Sequence, residues 1–154
     1  MTLFERDEGP ARVKLVVAYD GTGFHGFADQ PEVRTVEGVL TRALERFLRH
    51  PPERLTCAGR TDAGVHAWGQ VVSFDADPGV DPWRLQSAVN GALAPEVVVR
   101  AADVVEPDFD AIPGDVVARG ASSVAVVELL LNEIAGGPDG VAREFARLRS
   151  AGLD

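Results

Sequence analysis

The stretch from Thr35 to Pro52 constrains the fold most. Apolar Val36, Val39, Leu40, Ala43, Leu44, Phe47 and Leu48 recur at offsets of three and four, the spacing of one face of an α-helix. Thr35 stands where an N-cap hydroxyl belongs, and Pro51-Pro52 stops the helix. A helix with one apolar stripe must bury it, and the flanking segments supply a sheet to receive it. Arg12 to Tyr19 is β-branched and bounded by Gly9-Pro10 and Asp20-Gly21, which predicts a strand. Leu55 to Ala58 reads as a short strand and Gln70 to Phe74 as another. Asp81 followed by Pro82 opens a helix reaching about Ala94, and Val97 to Val105 is a last strand. The order β-α-β-β-α-β predicts an α+β fold: a ferredoxin-like split βαβ unit with an antiparallel sheet.

After residue 111 the pattern changes. Ser122 or Ser123 is placed to cap a helix carrying Val124, Val127, Leu130, Leu131 and Ile134, which Gly136-Gly137-Pro138 terminates. Asp139 can cap another through Val141, Phe145 and Leu148, with Gly152 as its stop. The expectation is a domain over residues 1–111 followed by a helical hairpin over 112–154. Its wide apolar stripe calls for a partner, either the sheet or a second copy of the chain, so a homodimer is expected.

Composition narrows the partners. A chain of 154 residues with 45% hydrophobic and 25% charged residues has enough material for a core, and its only cysteine, Cys57, forbids an internal disulfide. No apolar run approaches the roughly 20 residues needed to span a bilayer, and the start is too charged for a signal core, so no membrane association and a cytoplasmic location are expected. Fifteen basic residues against 24 acidic ones leave a net charge of −9, which opposes tight binding of a polyanion. Arg42, Arg46 and Arg49 share a helix, and an RNA reading needs them to converge with Arg60 on one cleft.

Two glycine-rich loops carry the candidate chemistry. Gly21-Thr22-Gly23-Phe24-His25-Gly26 matches the dinucleotide-binding spacing G-x-G-x-x-G, but that motif needs a helix to begin within it, and here the helix waits until Thr35. A plain glycine loop is the better reading. The second loop, Cys57-Ala58-Gly59-Arg60-Thr61-Asp62-Ala63-Gly64-Val65-His66-Ala67, holds a carboxylate with a guanidinium two residues before it and an imidazole four after. A short carboxylate in such a loop can simply cap a turn. Arg60 can pair with Asp62 and keep it ionised. His66 reads as a structural hydrogen-bonder ahead of a proton carrier. His25, His50 and His66 lack metal-ligand spacing, and Asp75, Asp77 and Asp81 read as a solvated turn rather than a cation site.

The string Gly59 to His66, with Gly69-Gln70-Val71-Val72 after it, resembles the active-site loop of the TruA-type tRNA pseudouridine synthases. Tyr19 to Phe27 is similar to that family's first loop, although His25-Gly26-Phe27-Ala28 stands where the family commonly has Tyr-Gly-Trp-Gln. The resemblance covers about residues 12–111. It implies that Asp62 is the catalytic carboxylate, supported by Arg60, Thr61, Gly64 and His66, with Asp20, Gly21 and His25 facing a uridine-containing substrate and no cofactor or metal. The family's substrate-stacking tyrosine follows a Phe-Asp/His-Ala step. This chain reaches Asp108-Phe109-Asp110-Ala111 and then continues Ile112-Pro113-Gly114, so the second half is expected from a partner chain or a second copy. Three readings remain at this point: a truncated synthase acting on RNA, the same chemistry on free uridine or UMP, and an inactive remnant used for binding or assembly.

Overall fold

A computed structural model describes residues 9–112 of the chain, and the helical hairpin expected over 112–154 lies outside the described residues apart from Ile112. Four strands, β1 (Ala11–Tyr19), β2 (Glu53–Cys57), β3 (Ala67–Ala76) and β4 (Val97–Val105), alternate with α1 (Val36–Leu48) and α2 (Pro82–Leu93) in the expected β-α-β-β-α-β order. The strands lie side by side as β2-β3-β1-β4, and every neighbouring pair is antiparallel. The sheet thus interleaves two βαβ units, with β3 filling the gap between β1 and β2.

Alternation along β1 sends Val13, Leu15, Val17 and Tyr19 towards the helices, where they meet Val36, Leu40 and Leu44 of α1 and Leu85 and Val89 of α2. The α1 stripe is the expected one, except that Phe47 is only partly buried. Thr35 caps α1 by accepting a hydrogen bond from the Gly38 amide at 3.1 Å, and Arg49 closes it in the left-handed conformation at φ 70°. β3 begins at Ala67, three residues earlier than the sequence suggests. Its pairing with β1 jumps between Gln70 and Ala67, so a bulge lies where the residue pattern looks like loop.

The opposite face of the sheet is organised by a charge. Arg12, on the even-numbered side of β1, is 1% exposed. Its guanidinium donates to Asp75 Oδ1 at 3.2 Å, Asp110 Oδ1 at 3.0 Å and Ser73 Oγ at 2.9 Å, and to the carbonyls of Phe109 at 2.7 Å and Arg54 at 3.1 Å. Those bonds fold the chain after β4 back beneath the sheet, where Phe109 and Ala111 pack on Val71 and Ala58. Asp75 is therefore no part of a solvated turn: it is 6% exposed and paired with Arg12 and Arg54. Asp77 instead pairs with His50, and Asp81 caps α2.

Two measurements test this arrangement. Arg12→Leu leaves buried Asp75 without its main partner, and chemical denaturation should show a loss of about 3–5 kcal/mol. An unchanged midpoint would mean that the guanidinium holds nothing. His50 places Nδ1 2.9 Å from the Pro51 carbonyl and Nε2 2.9 Å from Asp77 Oδ2. Both partners only accept, so the doubly protonated ring is favoured and the His50 pKa rises above 6.5, first through Pro51 and then through Asp77. The associated stabilisation is complete below pH 6.5 and fades as pH climbs through the raised value. An NMR titration should show that raised value, and Asp77→Asn should bring it part of the way down.

Candidate active site

β1 ends at Tyr19, and the chain turns at once. Asp20 donates its amide to the Glu96 carbonyl at 3.0 Å and caps a 3₁₀ turn, Gly21–Gly23, accepting from the Thr22 amide at 3.1 Å and the Thr22 hydroxyl at 2.7 Å. The loop that follows lies directly on the loop between β2 and β3. A Cβ at Gly21 would fall 2.0 Å from the Val65 carbonyl oxygen, and one at Gly26 2.8 Å from that of Thr61. Only glycine permits the backbones to approach so closely. Two cross-loop hydrogen bonds seal the contact: the Phe27 amide to the Thr61 carbonyl at 3.0 Å, and the Gly64 amide to the Phe24 carbonyl at 3.2 Å. These glycines make a backbone clamp, and the helix begins only at Val36, as the glycine-loop reading requires.

Asp62 stands at the tip of the clamped loop. Its carbonyl accepts from the Val65 amide at 3.1 Å, and Gly64, third in that turn, has φ +79°. Asp62 is exposed, and so is Arg60. The expected ion pair is not formed between these two exposed side chains, which stand two residues apart on the loop. His66, 4% exposed, sits beneath the loop and accepts from the Gly21 amide at Nδ1, 3.0 Å away. Asp20 Oδ1 is 3.2 Å from the same nitrogen. The two contacts are alternatives, because an amide needs the lone pair that a carboxylate would need protonated. With Nδ1 as the acceptor the ring satisfies Gly21, and His66 thereby ties the two loops together.

Below Thr61 lies a buried polar group. The Tyr19 hydroxyl meets Thr61 Oγ1 at 2.7 Å. Gln70 donates from Nε2 to the Tyr19 oxygen at 3.4 Å and to the Gly59 carbonyl, and its Oε1 accepts from the Gly59 amide at 3.3 Å. Because Nε2 can only donate, the Tyr19 proton points to Thr61. Burial pushes the Tyr19 pKa above 10.0, although its hydrogen bonds to Thr61 and Gln70 pull the other way. Burial also raises the Cys57 thiol to about 11, so it is no thiolate nucleophile at neutral pH. Of the three residues expected to face substrate, His25 is exposed, Gly21 is buried against Val65, and the Asp20 carboxylate is engaged by the Thr22 amide and hydroxyl of its own turn. Sequence reasoning overlooked Tyr19 and Gln70. The available signal was a glutamine inside an otherwise apolar strand, which has to find a partner when buried.

An antiparallel sheet backed by two helices, presenting an exposed carboxylate on a turn clamped under a second glycine loop, defines a small α+β domain. The chain belongs to the tRNA pseudouridine synthase family, whose model matches residues 15–112. It is 52% identical over 104 residues to a protein named tRNA pseudouridine synthase A from Methylobacterium nodulans, covering 65% of this chain and 39% of that one. The protein of the same name from Lactiplantibacillus plantarum is 44% identical over 102 residues, with 65% and 39% covered. The counterpart from Geobacillus sp. (strain WCH70) is 42% identical over 100 residues, with 65% and 40% covered. The chain spans about two fifths of the length of these relatives.

Tyr19 is the only tyrosine of the chain and reports on the clamp directly. In an alkaline titration followed by tyrosinate absorbance, ionisation should begin only above pH 10 and coincide with unfolding. The sign follows from the raised folded pKa: the stabilisation is full below 10.0 and lost as pH rises through the folded value. Tyr19→Phe should cost about 1–3 kcal/mol by leaving Thr61 and Gln70 short of a partner.

Proposed function

We propose that Asp62 is the catalytic carboxylate of a uridine-to-pseudouridine isomerisation, with RNA as the substrate. The observation that carries this reading is the contrast within the loop: Thr61, His66 and Gly59 are tied down, while Asp62 at its tip is exposed and unpaired among the described residues. A carboxylate held this way is preorganised to meet an external group. In the reaction the N1–C1′ bond breaks, the uracil turns, and a C5–C1′ bond forms; C5 loses its proton and N1 gains one. Asp62 acts either as the nucleophile on the sugar or as the base at C2′. Arg60, exposed two residues away, is free to meet a phosphate or the base instead of the carboxylate. His66, Thr61 and Gly64 act by shaping the loop, and His25 is the first-loop residue available to substrate.

A flipped uridine needs a flat face to rest on. Tyr19 cannot supply it, being buried with its hydroxyl on Thr61. In this reading the missing face comes from a partner chain or from a second copy, in keeping with a homodimer through the tail after residue 111 or through an exposed sheet edge. A cytoplasmic location fits a tRNA-directed activity. The chain's −9 charge favours a second reading, the same chemistry on free UMP, which needs no phosphate-tracking surface.

Tritium release from C5-labelled uridine, offered in tRNA and as UMP, tests both. Release from tRNA that Asp62→Asn reduces to background, with unchanged tRNA affinity, is the expected result. Release from UMP alone would replace the first reading with the second. No release from either substrate, even with the full-length relative's C-terminal half added in trans, would leave Asp62 without a catalytic role.

A further inference from the structure

The helices leave a groove on the far side of the molecule from their sheet contacts. It lies between α1 and α2, encloses about 690 Å³, and has a floor of small or apolar side chains such as Phe47, Ala88 and Gly91. Three guanidiniums line it: Arg46 and Arg49 from the end of α1, and Arg84 from the start of α2. No carboxylate lines it. Among the other described arginines, Arg12, Arg34 and Arg54 pair with carboxylates and Arg100 lies 4.2 Å over the Trp68 ring, while Arg42 and Arg60 are exposed singly outside the groove. Arg46, Arg49 and Arg84 make no ion pair with a described carboxylate.

Helix electrostatics explains only part of this. Arg46 and Arg49 sit at the carboxyl end of α1, where a cation is favoured. Arg84 is in the first turn of α2, where the helix dipole disfavours a cation. That turn contains no acidic residue, and the Asp81 cap spends its carboxylate on the Trp83 and Arg84 amides. A local charge of three therefore gathers in a chain that is otherwise strongly acidic, against both mutual repulsion and a helix dipole. An anion with several charges resolves that conflict. Trp83, next to Arg84, is 72% exposed, the most exposed large apolar side chain described, and offers a face on which a base can stack.

The position of the groove selects the size of its ligand. α1 starts against the first glycine loop, where the Val36 amide donates to the Gly26 carbonyl, and runs away from it. At 1.5 Å per residue, Arg46 and Arg49 lie roughly 15–20 Å along the helix from that end. Neither Arg42 nor Arg60 lines the groove, so the sequence-based convergence of those arginines is replaced by convergence on Arg84. A free nucleotide at Asp62 does not reach so far, whereas a folded RNA does.

We infer that the α1–α2 groove docks the phosphate backbone of a folded RNA whose target uridine lies at Asp62; this rests on the RNA half of the function proposed above. Three phosphate contacts contribute roughly 2–2.7 to the slope of log affinity against log salt, at 0.7–0.9 each. The test uses the 154-residue chain and labelled tRNA in a salt titration by fluorescence anisotropy. Arg46→Gln/Arg49→Gln/Arg84→Gln should flatten the slope by about 2 and weaken binding at least tenfold, with an unchanged thermal melt and unchanged UMP binding. The corresponding triple lysine variant should restore most of the slope, since a phosphate contact needs charge rather than a planar fork. An unaltered slope in the glutamine variant overturns the inference, and points to an acidic protein as the occupant. So does a wild-type chain with no tRNA affinity, even one that turns over UMP. Asp62→Asn should leave the slope intact. A flattened slope in the glutamine variant of a chain that makes no pseudouridine would uphold the groove while the catalytic reading fails.

Discussion

Arg12 is an arginine in a place that repels charge, and much of the described architecture follows from how that charge is met. Its five donors reach two carboxylates, a hydroxyl and two carbonyls on β2, β3 and the segment after β4. Burying a guanidinium is tolerable only when its hydrogen bonds are all made, so these groups are obliged to assemble together. The helices close one side of the sheet by apolar contact, which is forgiving of detail. The other side is closed at one end by directional bonds, which are not. The hydroxyl of Ser73 shows the economy: it accepts from Arg12 and from the Ala111 amide, and it meets Thr56.

The loop that carries Asp62 is held by a different means. Its backbone is fixed from above by the first glycine loop and from below by Tyr19 and Gln70, while the Asp62 carboxylate is left exposed. Rigidity is thus supplied to the main chain and withheld from the side chain at the tip. The energetic cost of ordering the loop is thereby met during folding rather than on contact with an outside group.

How much of this could be read from the residues depended on range. α1 was legible because its period, its cap and its stop all lie within one segment. The strand order was legible because breakers separate the β-branched runs. Asp62 stood out through the local string around it. Asp75 was misread because its partners, Arg12 and Arg54, are 63 and 21 positions away, and nothing nearby marks a buried acid. The start of β3 was misread because a bulge carries Trp68 and Gly69, and a glycine three residues after a glycine-rich loop looks like more loop. The expected Arg60–Asp62 pair failed for the opposite reason: proximity in sequence does not oblige two exposed side chains to meet. The groove arginines needed the packing of α1 against α2, since Arg49 and Arg84 belong to helices separated by two strands.

The anchoring of Phe109 and Ala111 beneath the sheet fixes where the described chain departs. Ile112 leaves from the face opposite α1 and α2, so the molecule has a front and a back. That exit is tied to the middle of the sheet, because the guanidinium that bonds Asp75 on β3 also bonds the Phe109 carbonyl and Asp110. A pull on the outgoing segment is thus borne by the inner strands β1 and β3 as well as by the edge strand β4 from which it emerges.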